Sequence, residues 1–346
     1  MILKTSPANI SRIGGCTLTG ALSVTTHIRD AVTVVHGPKG CTHHNFSLLH
    51  ATSLDNDDIR LPDLVSTGLL EQDIIFGGEE ALRRTIRAVA GRGVSAVFVL
   101  TTCIVDTIGD DVAAICGEEY GIPVILVPTA GFLGGTFQNG VNNALCALAD
   151  TAPSCEKGNG VNIIGERNLE YEAGENFAEV ERLLMALGIP INIRFVHELD
   201  FRLIADLGAA RLNILRDPSL VPVGEYLQKR TGTPFVTSFP SGFSGTLSFL
   251  EEVAAVCNRD SREAIAAECL AQESILAEFS DLAGTTVAFE PPLFDCGGIE
   301  VSREVADRLR VEVAETGCGI RVPVDPATGT GGVRRMLHRW RCALRA

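Results

Sequence analysis

Short apolar runs alternate with longer amphipathic stretches along nearly the whole chain. Val94–Leu100 (VSAVFVL) has the length and composition of a buried strand, Ile108–Tyr120 the period of a helix, and Pro123–Val127 that of the next strand. A helix is predicted over Asn139–Leu148. A polar stretch with Pro and Gly follows at Asp150–Gly160, and then the pattern restarts. Strands are predicted at Val161–Ile164, Ile191–Phe195, Arg211–Leu215 and Pro234–Ser238. Helices are predicted at Glu175–Leu187, Leu199–Leu207, Val223–Arg230 and Thr246–Cys257. A long amphipathic helix (Ser261–Phe279) leads into a small β-α-β unit, Thr286–Glu290, Ser302–Glu315 and Ile320–Val324. A basic helix, Val333–Ala346, comes last.

Such alternation specifies parallel sheets with right-handed helical crossovers. The expected class is α/β: two Rossmann-like parallel-sheet domains with a truncated third β-α-β segment. The expected extents are 1–155, 156–260 and 261–346.

Composition narrows the function. The chain has 346 residues, 46% of them hydrophobic, enough for a large core and unlike a disordered chain. Lys and Arg total 29 against 43 Asp and Glu, a net charge of −14, which argues against a nucleic-acid partner. No apolar run approaches the roughly 20 residues of a spanning helix, and the first residues lack a secretory pattern, so a cytoplasmic location with no membrane partner is expected. In that compartment eleven cysteines are not a disulfide framework. No Gly-Lys pair occurs, so there is no Walker A loop, and any ATP dependence has to come from a partner.

Three cysteines carry the chemical signal. Cys16 follows Gly14-Gly15. Cys41 closes His36-Gly37-Pro38-Lys39-Gly40-Cys41 just after a predicted strand, Ala31–Val35. Cys103 follows Val94–Leu100 through Thr101-Thr102. Their wide spacing fits neither a zinc ribbon nor a ferredoxin. It fits ligands on separate βα loops gathered at the carboxyl ends of strands, where open α/β sheets bind their ligands. The competing reading is three buried thiols packed as small hydrophobes, which is the reading given to Cys116, Cys146, Cys257 and Cys269. Cys155, Cys296, Cys318 and Cys342 receive no role.

Several pieces taken in order resemble one family. They are Gly15-Cys16, the His36–Cys41 stretch, Asp73–Glu80 (DIIFGGEE), Thr101–Asp111 (TTCIVDTIGDD), Gly131–Leu145 (GFLGGTFQNGVNNAL), Gly165-Glu166 and Phe239–Leu250 (FPSGFSGTLSFL). Together they resemble component 1 of the nitrogenase family, which includes the dark-operative protochlorophyllide reductase subunits. The resemblance implies that Cys16, Cys41 and Cys103 bind an interface iron–sulfur cluster, expected to be 4Fe-4S. It departs from nitrogenase at Asn142 and Asn143, which stand where that motif has a histidine pair, and no cysteine matches the tether of the catalytic cofactor. Compact chains of this kind most resemble the catalytic subunits of nickel-sirohydrochlorin a,c-diamide reductive cyclases, a group within the family. That likeness implies an oxidoreductase in biosynthesis of the methanogen nickel coenzyme. It would be a homodimer taking electrons from an ATP-hydrolysing, 4Fe-4S-bearing iron-protein-like reductase, with nickel entering as part of the tetrapyrrole substrate.

A cluster on a two-fold axis takes equal numbers of ligands from each chain, and three cysteines per chain offer six. Either one per chain is spare or the cluster is larger than four irons.

Five of the seven histidines lie in Thr26–Ala51. His43 and His44, directly after Cys41, are the candidate catalytic proton donors, with structural hydrogen bonding as the alternative. Lys39 and Arg84, with Arg83 and Arg87 beside it, are candidates to pair with substrate carboxylates. Gln138 and Asn142 complete the candidate substrate contacts. Asp106, Asp110 and Asp111 are either part of a reductase docking face or acids favoured at a helix start. The basic C-terminal helix could cover substrate, pair across a dimer or be solvated, and Leu337 with Trp340 gives it an apolar side. Three other functions stay open: a protochlorophyllide-type subunit, a non-catalytic cofactor-assembly scaffold, and a bilobed small-molecule binding protein without iron.

Overall fold

The computed structural model describes residues 15–129, 131, 135–290, 298–314, 319–324 and 327–345. Cys296 and Cys318 lie outside the described residues. The chain forms two compact units. One takes residues 12–171 and 192–235, and the other takes 172–191 with the segment from 236 onward.

The first unit begins with α1 (Thr17–Thr25), β1 (Ala31–His36) and α2 (Lys39–Asp55). β2 (Leu64–Ser66), α3 (Glu71–Phe76), α4 (Glu79–Ala90) and β3 (Ala96–Thr101) come next. Two short helices, α5 (Cys103–Ile108) and α6 (Val112–Cys116), then lead to β4 (Val124–Val127) and α7 (Phe137–Asp150). The sheet order is β2-β1-β3-β4 and every pairing is parallel. β3 shows why the pattern reads as continuous rather than alternating. Ala96, Phe98 and Leu100 face one core with Leu22 and Leu145, whereas Val97 and Val99 face another with Leu82, Ile86 and Ile115. Both faces of the sheet are covered, as parallel sheets require.

Ile108–Tyr120 is not one helix. Gly109 takes the left-handed conformation at φ 79° and ends α5, and Asp111 accepts the Ala114 amide at 3.0 Å to start α6.

A second parallel layer follows in the same unit. It contains β5 (Val161–Ile164), β6 (Ile191–Phe195), β7 (Leu212–Leu215), α9 (Val221–Thr231) and β8 (Phe235–Val236), in the order β6-β5-β7-β8. The helix predicted at Leu199–Leu207 is a 3₁₀ helix over Phe201–Ala209.

The second unit holds α8 (Ala173–Ala186), α10 (Gly242–Val256), α11 (Arg262–Glu278), β9 (Thr286–Phe289) and α12 (Gly298–Leu309). β10 (Glu312–Val313), β11 (Ile320–Val322) and α13 (Gly329–Arg345) complete it. Its three-stranded sheet runs β10-β9-β11, all parallel. The edge strand β10 lies in what the sequence pattern assigned to helix.

Helix α8 joins this unit through charge pairing with α13. Glu172 takes Arg335 at 2.9 Å and Arg339 at 2.8 Å. Glu179 accepts the Gly331 amide at 3.1 Å, so a carboxylate from the same chain occupies the positive N-terminal end of α13. Gly329 and Gly331 leave it room, since a Cβ at either would stand 2.5 Å or less from a Glu179 oxygen.

The basic helix therefore docks on its own unit. Trp340, Leu337 and Met336 are buried with Phe279 and Val287. Arg334 pairs with Glu278, and Arg341 and Arg345 pair with Asp281. No helix among the described residues is long and apolar enough to cross a membrane.

Candidate functional site

In the first sheet the chain leaves β1 toward β2 on one side and reaches β3 on the other. That makes the β1/β3 junction the topological switch point, where the carboxyl ends of strands open a crevice. The loops leaving these two strands carry Cys41 and Cys103. β1 ends at His36, Pro38 is extended (φ −63°, ψ 149°), and α2 starts at Lys39, so Cys41 lies in its first turn. β3 ends at Thr101, Thr102 is extended, and Cys103 is the first residue of α5. Cys16 is the residue before α1, in an isolated antiparallel bridge with Thr136, which caps α7.

The third cysteine is brought in by the packing of α1 on α7. A Cβ on Gly20 would stand 1.9 Å from the Phe137 carbonyl oxygen, and one on Gly140 would stand 1.9 Å from that of Thr17. Only glycine permits these two backbones to lie so close.

Cys16 and Cys41 are exposed and Cys103 is half-buried. The Cys41 thiol is pushed above its ordinary value, first by burial and then by the charges of Cys16 and Cys103. The Cys16 and Cys103 sulfurs thus lie near enough to Cys41 to act on its thiol. Coordination to a metal deprotonates a thiol outright. Thr19 and the Cys16 sulfur are 3.7 Å apart in a weak hydrogen bond. A Cβ on Gly131 would lie 3.8 Å from the Cys103 sulfur and 3.3 Å from the Thr17 hydroxyl, so glycine keeps that side open. The buried hydroxyls of Thr17, Thr42 and Thr102, each next to one of these cysteines, have no partner. Among the described residues no group of three or more His, Cys, Asp or Glu side chains converges to hold a single metal ion. Neighbouring thiols, unpartnered hydroxyls and a glycine-lined approach fit a multi-iron sulfur cluster, whose ligands bind different atoms. They do not fit a mononuclear zinc site, where every sulfur lies about 2.3 Å from one ion.

The histidines divide. His43 and His44 are exposed on α2 beside Cys41. His50 is half-buried, tilted against Phe46 at 6.2 Å. His36 is fully buried between Thr67 (3.0 Å to Nδ1) and Asp110 (3.1 Å to Nε2), and burial lowers its pKa more than Asp110 raises it. Asp110 also accepts the Gly78 amide at 3.1 and 3.0 Å. Its side chain is 4% exposed, so it braces the switch-point loops and does not present a docking face. Asp111 caps α6, and Asp106 accepts the Thr101 hydroxyl at 3.1 Å. His27 stacks on His197 at 5.0 Å.

Of the candidate substrate contacts, Lys39 is exposed with its stem against Gly68, and Arg84 is exposed on α4. Arg83 and Arg87 are engaged with Glu118, and Arg83 also with Glu79 and Glu80. Gln138 donates to Asn142 at 2.9 Å one turn along α7. Cys155 and Cys342 are exposed, away from these contacts in sequence.

The pattern reading missed a charged cluster beyond the carboxyl ends of β5, β6 and β7. Arg194 pairs with Glu166 (3.1 Å), Arg167 with Glu170 (2.6 Å) and Asp217 (3.1 Å), and Arg216 with Glu170 (3.2 Å). Three arginines balance three acids, all at most 19% exposed. The available signal was Arg194 between Ile193 and Phe195 in β6 and Arg216 directly after β7.

Parallel sheets with Cys41 and Cys103 on the loops leaving β1 and β3 at the first switch point define a protein of the α/β class. The model of the "Nitrogenase component 1 type Oxidoreductase" family matches residues 16–288, and the chain belongs to that family. It is 32% identical over 254 residues to the nitrogenase iron-molybdenum cofactor biosynthesis protein NifE of Clostridium pasteurianum, a match covering 71% of this chain and 54% of the relative. The NifE protein of Methanococcus maripaludis is 30% identical over 292 residues, 79% of this chain and 59% of the relative. The chain thus spans somewhat over half the length of these curated relatives. A solved structure titled "Nitrogenase Cp1 at pH 6.5" superposes with a TM-score of 0.69 at 21% identity, covering 93% of this chain and 63% of the other.

Proposed function

We propose that this protein is an iron–sulfur protein of metal-cofactor biosynthesis. The observation that carries the reading is the position of Cys41 and Cys103 at the starts of the helices that leave the β1/β3 switch point, with Cys16 at the start of α1 near enough to act on Cys41. These three cysteines would hold the iron of a 4Fe-4S-type cluster, shared with a second copy of the chain. Bound there, the cluster supplies one-electron relay between a reductase and a substrate.

This chain's own residues bind, orient and deliver protons. Each cysteine stands at or beside the start of a helix, α1, α2 or α5, where backbone amides lack helical partners. His43 and His44 are exposed one and two residues from Cys41-Thr42 and can donate protons. Gln138, bonded to Asn142, offers amide groups to a substrate, Asn142 being one of the two positions where the nitrogenase motif has histidine. Lys39 and Arg84 offer cations to carboxylates.

Two finer readings follow. In the first, the chain is a scaffold that holds a metal cofactor precursor for transfer, supported by the cofactor-biosynthesis names of the curated relatives. In the second, it is the catalytic subunit of a nickel-sirohydrochlorin a,c-diamide reductive cyclase. There it would accept electrons from an ATP-hydrolysing iron-protein-like reductase and reduce and cyclise a nickel tetrapyrrole. The amides at Asn142 and Asn143, in place of histidines, favour this second reading over nitrogen reduction.

Anaerobic purification with iron and sulfide analysis tests the shared part, together with Cys41→Ala. Wild type is expected to be brown and the variant to lose its cluster; full iron in the variant would refute the ligand assignment. Mixing with an iron-protein-like reductase, ATP and nickel-sirohydrochlorin a,c-diamide then separates the finer readings. Turnover supports the cyclase and binding without turnover supports the scaffold. His43→Ala is expected to keep its iron but slow any turnover.

A further inference from the structure

We infer that the hydroxyls of Thr17 and Thr102 donate hydrogen bonds to the sulfurs of the iron–sulfur centre and raise its reduction potential. This rests on the cluster assignment above.

Among the described residues four threonine hydroxyls are buried without a partner, those of Thr17, Thr42, Thr102 and Thr330. Three of the four adjoin a candidate cysteine ligand. Leaving such a group unpaired costs stability, and nearby threonines avoid it. Thr52 and Thr85 return their hydroxyls to carbonyls four residues back, at 2.9 and 2.7 Å. Thr129 donates to the Thr101 carbonyl at 2.6 Å.

The surroundings of Thr17 and Thr102 are fixed by glycines. Thr17 is 1% exposed, and its hydroxyl and the Cys103 sulfur border the same spot above Gly131, at 3.3 and 3.8 Å from where a Cβ would stand. Thr17 follows Cys16 in sequence, and its hydroxyl borders the same space above Gly131 as the Cys103 sulfur, so it faces two of the three candidate ligands. Thr102 is 3% exposed, and its hydroxyl would be 2.2 Å from a Cβ on Gly37. Gly37 opens the loop to Cys41, so Thr102 stands between the Cys103 and Cys41 arms. Hydrogen bonds to cluster sulfurs are one of the levers that set potential. Donors stabilise the more negative, reduced form, so their removal lowers the potential.

The test uses the full chain loaded anaerobically with ferrous iron and sulfide. Wild type, Thr17→Val, Thr102→Val and the matching serine variants are compared by iron content and by dithionite titration followed by electron paramagnetic resonance. Each valine variant is expected to keep its iron and to shift the reduced-to-oxidised ratio at fixed potential about three- to tenfold toward oxidised. Tenfold corresponds to about 59 mV for one electron. Serine is expected to restore the wild-type value. Thr85→Val, whose hydroxyl serves only a helix carbonyl, is expected to leave the potential unchanged.

Valine variants with normal iron and an unchanged potential would overturn this inference and leave the cluster assignment standing. A wild type that takes up no iron would overturn both. If valine costs iron, serine decides: retained iron at the wild-type potential supports the hydroxyl role, and loss in serine as well refutes it.

Discussion

Gly140→Ala probes the α1/α7 crossing that delivers Cys16. The new methyl would stand 1.9 Å from the Thr17 carbonyl oxygen and 2.8 Å from the Ala21 amide nitrogen. Ordinary contact begins near 3.4 Å, so the helices would have to separate by about 1.5 Å. The obstacles are backbone atoms, which cannot rotate aside. Overpacking costs about 1–3 kcal/mol, and a backbone clash belongs at the upper end. Alanine's better helix propensity returns about 1 kcal/mol. The net expectation is a loss of about 2 kcal/mol. For a unit of roughly 200 residues that is a fall in melting midpoint of about 4–8 °C. Gly174→Ala is the paired control. It lies in the first turn of α8 with nothing within 4 Å of a Cβ, and should be neutral or up to about 1 kcal/mol stabilising. Thermal unfolding followed by circular dichroism reads both. A Gly140→Ala midpoint equal to or above that of wild type would refute the close-packing argument, and with it the account of how Cys16 reaches the other two cysteines.

Acid should destabilise the fold through the stacked histidines. Burial, with Arg60 and Arg194 adding positive charge, lowers His27 to about 4 and His197 to about 2. The unfolded chain therefore binds protons first, so stability is fully present above pH 6.5 and is lost as pH falls through about 4. The urea midpoint should drop over that window and drop less in a His27→Gln/His197→Gln double variant; parallel slopes would count against this. Asp110→Ala strands the His36 ring nitrogen and the Gly78 amide, for an expected loss of about 2–5 kcal/mol measured by urea unfolding. A change below 1 kcal/mol would show that the brace is dispensable. Trp340→Ala removes the largest fully buried side chain of the second unit and its bond to the Pro323 carbonyl. It should cost about 3–5 kcal/mol, and a protease-resistant C-terminal segment in that variant would contradict the docking of α13.

Local pattern determined a good deal of this protein. Apolar runs at strand length placed β1, β3, β5, β6 and β7 within a residue or two, because strands of a covered parallel sheet are mostly apolar. The stretch from His36 to Cys41 showed a loop leaving β1; that Cys41 lies in the first turn of α2 came from the structure. What the pattern could not show depends on partners distant in sequence. The break at Gly109–Asp111 follows from Asp110 reaching back to His36 and Gly78. The role of His36 itself follows from its burial between Thr67 and Asp110, which a histidine near a cysteine does not reveal. The C-terminal arginines looked available for substrate until the fold set Glu172, Glu278 and Asp281 against them. The meeting of Cys16 with Cys41 and Cys103 depends on two glycines 120 positions apart, because only the packed helices disclose that neither can carry a methyl group.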